Sequence, residues 1–299
     1  MLNFPKKVLI EEESLRDGLQ IEKTELTVDE KIRFIKGMEA AGIRRIQVGS
    51  FVHPKRVPQM ANTDEVFKQL DRNPDVLYTG LILNMRGLER AVECKVPHLS
   101  ISVSASETHS MKNAQKTLAQ ATTDVREMIL AAQSAGIAVR GGIQSAFGCA
   151  YEGEISIDVV CNIARLYDSL GVDEINLADS TGMANPISIQ NLIARVREVV
   201  SPKILLSLHL HDTRGLGIAN MVAGLNSGIT LFDSALGGLG GCPFIPKAAG
   251  NIATEDAVYA MEASGIETGI DWRSLCDLAL RMEHRLDRHL PGKLMHIQS

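Results

Sequence analysis

Short runs rich in β-branched and aliphatic residues alternate with amphipathic windows along the whole chain. Eight such runs read as strands, at 7–12, 45–48, 77–83, 98–103, 138–145, 174–177, 204–209 and 231–234. Between them apolar residues recur at helical spacing. Residues 27–41 form one such window, with Thr27 at the cap and Glu30 three residues on, and residues 155–170 form another, closed by Gly171. Gly42, Gly136, Gly171 and Gly228 each fall just ahead of a strand, where a helix has to end. Eight βα units of this length predict an α/β protein built as a single (β/α)8 TIM barrel over about residues 5–265. Further helices are expected at about 270–290, where Arg281, Glu283, Arg285, Asp287 and Arg288 read as a solvated face. No Pro/Ser-rich linker interrupts the units, so residues 1–299 are expected to form one catalytic domain.

Composition narrows the class without changing that picture. With 299 residues, 45% hydrophobic and 22% charged, the chain can bury a large core. No apolar run approaches the ~20 residues of a membrane span and the N-terminus does not read as a secretory signal, so a cytoplasmic location is expected. The five cysteines are scattered without a CxxC pair, which argues against a disulfide framework or a zinc ribbon and leaves most of them as small core residues. A net charge of -5 offers no footprint for nucleic acid, while leaving room for a local basic patch that binds a phosphorylated cofactor such as coenzyme A.

In a barrel of this kind, function sits where strands end and their following loops begin. Polar residues collect there: Ser14, Arg16, Asp17 and Gln20 after the first strand, Gln47, Ser50 and His53 at the second, Ser102, Ser104 and Glu107 at the fourth. Asp179 and Thr181 follow at the sixth, and His209, His211, Asp212 and Arg214 at the seventh. His209 and His211 lie two apart on a strand and so share a face. Barrel closure sets the eighth strand between the seventh and the first, which allows Asp17 to meet the two imidazoles. Asn251, beyond the loop after the eighth strand, can complete the set. Two imidazoles, a carboxylate and an amide oxygen suit a divalent ion with open positions, Mg2+, Mn2+ or another first-row metal, rather than structural zinc.

An HxH pair alone is weak evidence, and Arg16-Asp17 alone is an ordinary strand-end ion pair; together they also place a guanidinium where an oxyanion could form beside a metal. The loop after the eighth strand carries Gly237, Gly238, Gly240 and Gly241 and then Cys242 before a proline. That much glycine costs conformational entropy, and it leaves Cys242 movable, as a proton-transferring thiol requires. Cys149, at the end of the fifth strand, stays ambiguous.

The chain resembles the 3-hydroxy-3-methylglutaryl-CoA lyases of the metal-dependent Claisen/aldol barrel superfamily over almost its whole length. The matching blocks are 16–23, 50–60, 104–107, 151–153, 209–213, Gly238-Leu-Gly-Gly-Cys-Pro243 and 250–256. The resemblance implies retro-aldol cleavage of a tertiary 3-hydroxyacyl-CoA to acetyl-CoA and a keto acid, acetoacetate in the usual case. It implies a metal on Asp17, His209, His211 and Asn251, enolate stabilisation by Arg16, and proton transfer by Cys242 with help from His209. It implies Gln20, Gln47, Ser50, Asp179 and Arg214 around the substrate, and a homo-oligomer, dimer or tetramer. Three positions depart from the family pattern: Gln47 replaces an acidic residue, Arg56 an aromatic one and Arg214 a tyrosine. Each raises the local charge, which makes citramalyl-CoA, releasing pyruvate, an alternative substrate. A condensing synthase or aldolase of the same superfamily fits the glycine-cysteine loop less well, and a non-catalytic scaffold barrel least.

Overall fold

The computed structural model describes residues 4–241 and 249–297. Eight parallel strands close into a barrel in sequence order: β1 (Leu9–Glu12), β2 (Arg45–Ser50), β3 (Leu77–Ile82), β4 (His98–Ser104), β5 (Ala138–Gln144), β6 (Glu174–Asp179), β7 (Leu205–Leu210) and β8 (Leu231–Ser234). The last pairing, Leu9 to Leu231 through Glu12 to Ser234, shuts the sheet on itself. All eight expected strands are present, with no end shifted by more than two residues. Strands β2 and β6 run on to the polar residues Ser50 and Asp179, so a polar residue near the top of this barrel does not mark a strand end.

Helices cover the barrel between the strands. Val28–Ala40 begins with the expected capping box, the Thr27 hydroxyl accepting from the Glu30 N–H while the Glu30 carboxylate accepts from the Thr27 N–H. The outward positions of each strand pack with these helices into one apolar core; on β4 Leu99, Ile101 and Val103 lie there, while Ser100 and Ser102 face a cavity inside the barrel. No helix among the described residues is long and apolar enough to cross a membrane.

After the barrel, the helix Trp272–Leu286 is capped by the Asp271 carboxylate. Its charged side is more than a solvated face: Arg285 pairs with Glu30 at 2.5 Å and Arg288 contacts Glu22 at 3.0 Å. The helix returns across the N-terminal end of Val28–Ala40, and that close approach brings opposite charges together. The segment beyond it reaches the loop after β8, where the Gly292 N–H donates to the Gly237 carbonyl at 2.9 Å.

Glu255 secures the same loop from below. It is fully buried, one oxygen accepts from the Gly237 N–H at 3.1 Å, and the other has no partner among the described residues. Burial pushes its carboxyl up to about 8. A raised carboxyl contributes stability that is full below the unfolded value of about 4.5 and is lost as pH rises through about 8. Glu255→Gln keeps the shape and never ionises. Between pH 5.5 and pH 9 the stability of the variant relative to wild type, read by urea unfolding, should rise by about 1–3 kcal/mol; parallel pH curves would refute this origin.

Candidate active site

Strand β1 ends in a single wide helical turn, Ser14–Gly18, which lifts Arg16 and Asp17 over the rim of the barrel. Strand β7 brings His209 and His211 to the same rim. An isolated antiparallel bridge between His211 and Asn251 sets the amide side chain beside them. The loop after β8 closes this side through Gly240: its φ is 107°, and a β-carbon there would lie 2.7 Å from Asn251 Nδ2 and 3.2 Å from Asp17 Oδ2. Arg16, Asp17, His209 and His211 frame one end of a cavity of about 410 Å3 whose walls include Gln20, Arg56, Ser100, Ser102, Gly142 and Asn176.

The ligand atoms converge. His209 Nε2 is 3.0 Å from His211 Nε2, and His211 Nε2 is 3.6 Å from Asp17 Oδ2. Asn251 Nδ2 donates to Asp17 Oδ2 at 2.8 Å and to the Leu239 carbonyl at 2.9 Å, leaving a buried Oδ1 with no donor among the described residues. His209 Nδ1 lies 3.2 Å from Asp233 Oδ2 and 3.3 Å from Glu13 Oε2. Two carboxylates there hold the proton on Nδ1 and leave the Nε2 lone pair facing His211 and Asp17, the tautomer that a metal ligand needs. Adjacent ligands of an octahedral ion with ~2.1 Å bonds stand about 3 Å apart, in keeping with these spacings.

Charge supports the same reading. Inside the barrel, Glu11, Glu13, Asp17, Glu174 and Asp233 face the guanidinium groups of Arg16, Arg45 and Arg140, so five acids meet three bases and leave two negative charges in excess. A divalent cation would cancel that excess. Without one, protons take its place: burial disfavours the charged imidazole of His209, yet its hydrogen bonds to Asp233 and Glu13 outweigh this and push it up to about 10. Burial raises the Glu13 carboxyl despite Arg16. Burial would also raise Asp17, but Arg16, His211 and His209 override it and hold that carboxyl well below the usual range.

Arg16 is gripped on three sides. Nη1 donates to Asp17, Nη2 to Glu13 and Nε to Gln47. A guanidinium carries five N–H bonds, so two remain for the cavity. Gln20, expected near the substrate, lines the cavity and donates to Asp17 Oδ1 at 2.8 Å.

Other expected substrate contacts lie elsewhere. Gln47 is fully buried beneath Arg16, its amide donating to Glu11 Oε1 at 3.2 Å, and does not line the cavity. Ser50 is also buried outside the lining, its hydroxyl without a partner among the described residues. The Asp179 carboxylate turns into its own loop and accepts from the Met183 and Ala184 N–H groups at 2.8 and 3.1 Å. Arg214 is exposed and ties the loops after β6 and β7 together by donating to the Thr181 and Gly182 carbonyls. Of the three departures from the family pattern only Arg56 reaches the cavity. Cys149 is buried off the cavity, with the Ser106 hydroxyl 3.0 Å from its sulfur. Cys242 lies outside the described residues.

Glu13, Arg140 and Asp233 belong to the site and were not anticipated. Their signal was charge inside a strand: three consecutive acids at 11–13, an arginine within Ala138-Val-Arg-Gly-Gly-Ile143 and an aspartate within Leu231-Phe-Asp-Ser234.

The HMGL-like family profile matches residues 7–281. A hydroxymethylglutaryl-CoA lyase of Bacillus subtilis is 37% identical over 98% of this chain and 98% of its own length. A 3-hydroxy-3-isohexenylglutaryl-CoA/hydroxymethylglutaryl-CoA lyase of Pseudomonas aeruginosa is 39% identical over 94% of this chain and 93% of its own. Among solved structures, an HMG-CoA lyase of Acinetobacter baumannii in complex with coenzyme A and 3-methylmalate superposes with a TM-score of 0.94 at 41% identity, covering 100% of this chain and 97% of that one.

Proposed function

The chain belongs to the HMGL-like family, and on that premise we propose that it cleaves 3-hydroxy-3-methylglutaryl-CoA to acetyl-CoA and acetoacetate with Mg2+ or Mn2+ on Asp17, His209, His211 and Asn251. The observation that carries this reading is the meeting of the Asp17, His209 and His211 ligand atoms beside the two free N–H bonds of Arg16. The coenzyme A in the Acinetobacter relative supports an acyl-CoA ligand.

The reaction removes the proton of the 3-hydroxyl, breaks the C2–C3 bond with its electron pair passing into the thioester as an enolate, and returns a proton to C2. The ion, when bound, lowers the pKa of a ligating hydroxyl and helps to orient the substrate. Arg16 would offer its two remaining donors to the oxygen where the enolate charge develops, and its three protein partners hold the guanidinium in place beforehand. Gln20 fixes the Asp17 carboxylate from the cavity side. Cys242, by the family resemblance, delivers the proton to C2.

The case for citramalyl-CoA is three changes of charge, at Gln47, Arg56 and Arg214. Gln47 and Arg214 do not face the substrate space, so the case rests on Arg56 alone and no longer favours a different acyl group. The test is a coupled assay on EDTA-stripped protein. Acetoacetate should form from hydroxymethylglutaryl-CoA only when Mg2+ or Mn2+ is restored, with a rate gain of at least about 10^3. Pyruvate from citramalyl-CoA without any acetoacetate would replace this reading with the other one.

A further inference from the structure

Residue 47 lacks the negative charge that the family pattern places there, yet the partner it contacts, Arg16, still needs a fixed orientation. Three acids in a row span the end of β1, and they face different ways. Glu11 points to the lower barrel, with Arg45 at 2.8 Å, Arg140 at 2.9 Å and Thr79 at 2.6 Å. Glu12 points outward and holds the Ser14 N–H at 2.8 Å and the Thr254 hydroxyl. Glu13 alone turns to the site, where it is 1% exposed. A single oxygen, Oε2, receives Arg16 Nη2 and lies 3.3 Å from His209 Nδ1. One atom therefore touches both the guanidinium and the imidazole.

On the assignment of Arg16 and His209 made above, we propose that Glu13 is the positioning carboxylate of this site, orienting both groups through one oxygen and supplying the charge that Gln47 does not. The amide of Gln47 cannot replace it. Its nitrogen is committed to Glu11, so its oxygen offers Arg16 Nε only a neutral acceptor and makes no contact with His209. Asp233 also holds His209 Nδ1, but the same Asp233 oxygen serves Arg140 and Asn176, and nothing in those contacts reaches Arg16. The two functions separate by partner: charge on Arg16 governs turnover, and the tether on His209 governs metal affinity.

The experiment uses the full chain, with Mn2+ binding to metal-free protein followed by electron paramagnetic resonance alongside steady-state kinetics. Glu13→Gln should lower kcat and Mn2+ affinity, each on the order of 10–100-fold, with KM changed less than about threefold. Adding Gln47→Glu to Glu13→Gln returns a charge to Arg16 but not to His209. The double variant should recover kcat by at least about tenfold over the single one, while its Mn2+ affinity stays low. If Glu13→Gln does not fold, Glu13→Asp carries the same test, since it keeps the charge and withdraws it by one methylene from both partners. Wild-type kcat and Mn2+ affinity in the single variant would overturn the proposal, as would a folded double variant no faster than the single one. A wild-type protein inert toward hydroxymethylglutaryl-CoA would instead refute the substrate assignment, and the Mn2+ titrations would still decide the role of Glu13.

Discussion

Arg140→Met is expected to lower the thermal midpoint by about 10 °C or more, or to prevent folding outright. Arg140 is 1% exposed in the middle of the barrel and is the common partner of four acids. It lies 2.9 Å from Glu11, 3.6 Å from Glu13 and 3.0 Å from Glu174, and it donates directly to Asp233. Removing one partner of a single buried ion pair costs about 3–5 kcal/mol because the other charge is left uncompensated. Here one deletion strands several carboxylates at once, so the loss belongs at the upper end of that range. Methionine fills most of the volume, which assigns the effect to charge and not to a cavity. Lysine should not rescue it, since a single ammonium cannot reach acids arranged around a planar fork. Circular-dichroism melts of wild type, Arg140→Met and Arg140→Lys measure this, and a Met variant within about 2 °C of wild type would show that the network contributes little.

Arg140 also marks where the sequence stopped being legible. The barrel could be read because its outward strand positions pack against helices and so follow a strict period, as Leu99, Ile101 and Val103 do. The meeting of Asp17 with His209 and His211 could be read because the two histidines share a strand face and closure of the barrel puts β8 beside β1. The inward polar layer gave no such periodic signal. Glu11, Glu13, Arg45, Arg140, Glu174 and Asp233 look like scattered surface charges until the closed barrel brings them to one axis. Loop residues failed for another reason. Asp179 and Arg214 lie at the rim as expected, but backbone groups capture their side chains first, the amides of its own loop for Asp179 and the carbonyls of the neighbouring loop after β6 for Arg214. Position along the chain says which rim a residue occupies, and competition with local backbone decides whether it reaches the cavity.

Asp17→Asn should reduce kcat/KM by at least about 10^3 and abolish stabilisation by Mn2+. Both carboxylate oxygens are engaged: Oδ1 receives Arg16 and Gln20, and Oδ2 receives Asn251 Nδ2 at 2.8 Å while facing His211 Nε2 at 3.6 Å. Asparagine can keep the acceptor on one side only. Its amide nitrogen must then meet either the donors of Arg16 and Gln20 or the donor of Asn251, so it loses a charge and gains a donor–donor clash in one step. A loss of about 4 kcal/mol of transition-state stabilisation corresponds to the thousandfold drop. In the wild type, Mn2+ at 100 times its dissociation constant should add about 2.7 kcal/mol to unfolding, seen as a rise in melting temperature. The variant should melt at one temperature with and without Mn2+. Asp17→Glu then tests whether charge suffices without position: a longer side chain that restored the Mn2+ shift but not turnover would mean that Asp17 holds the ion and also sets where Arg16 meets the substrate.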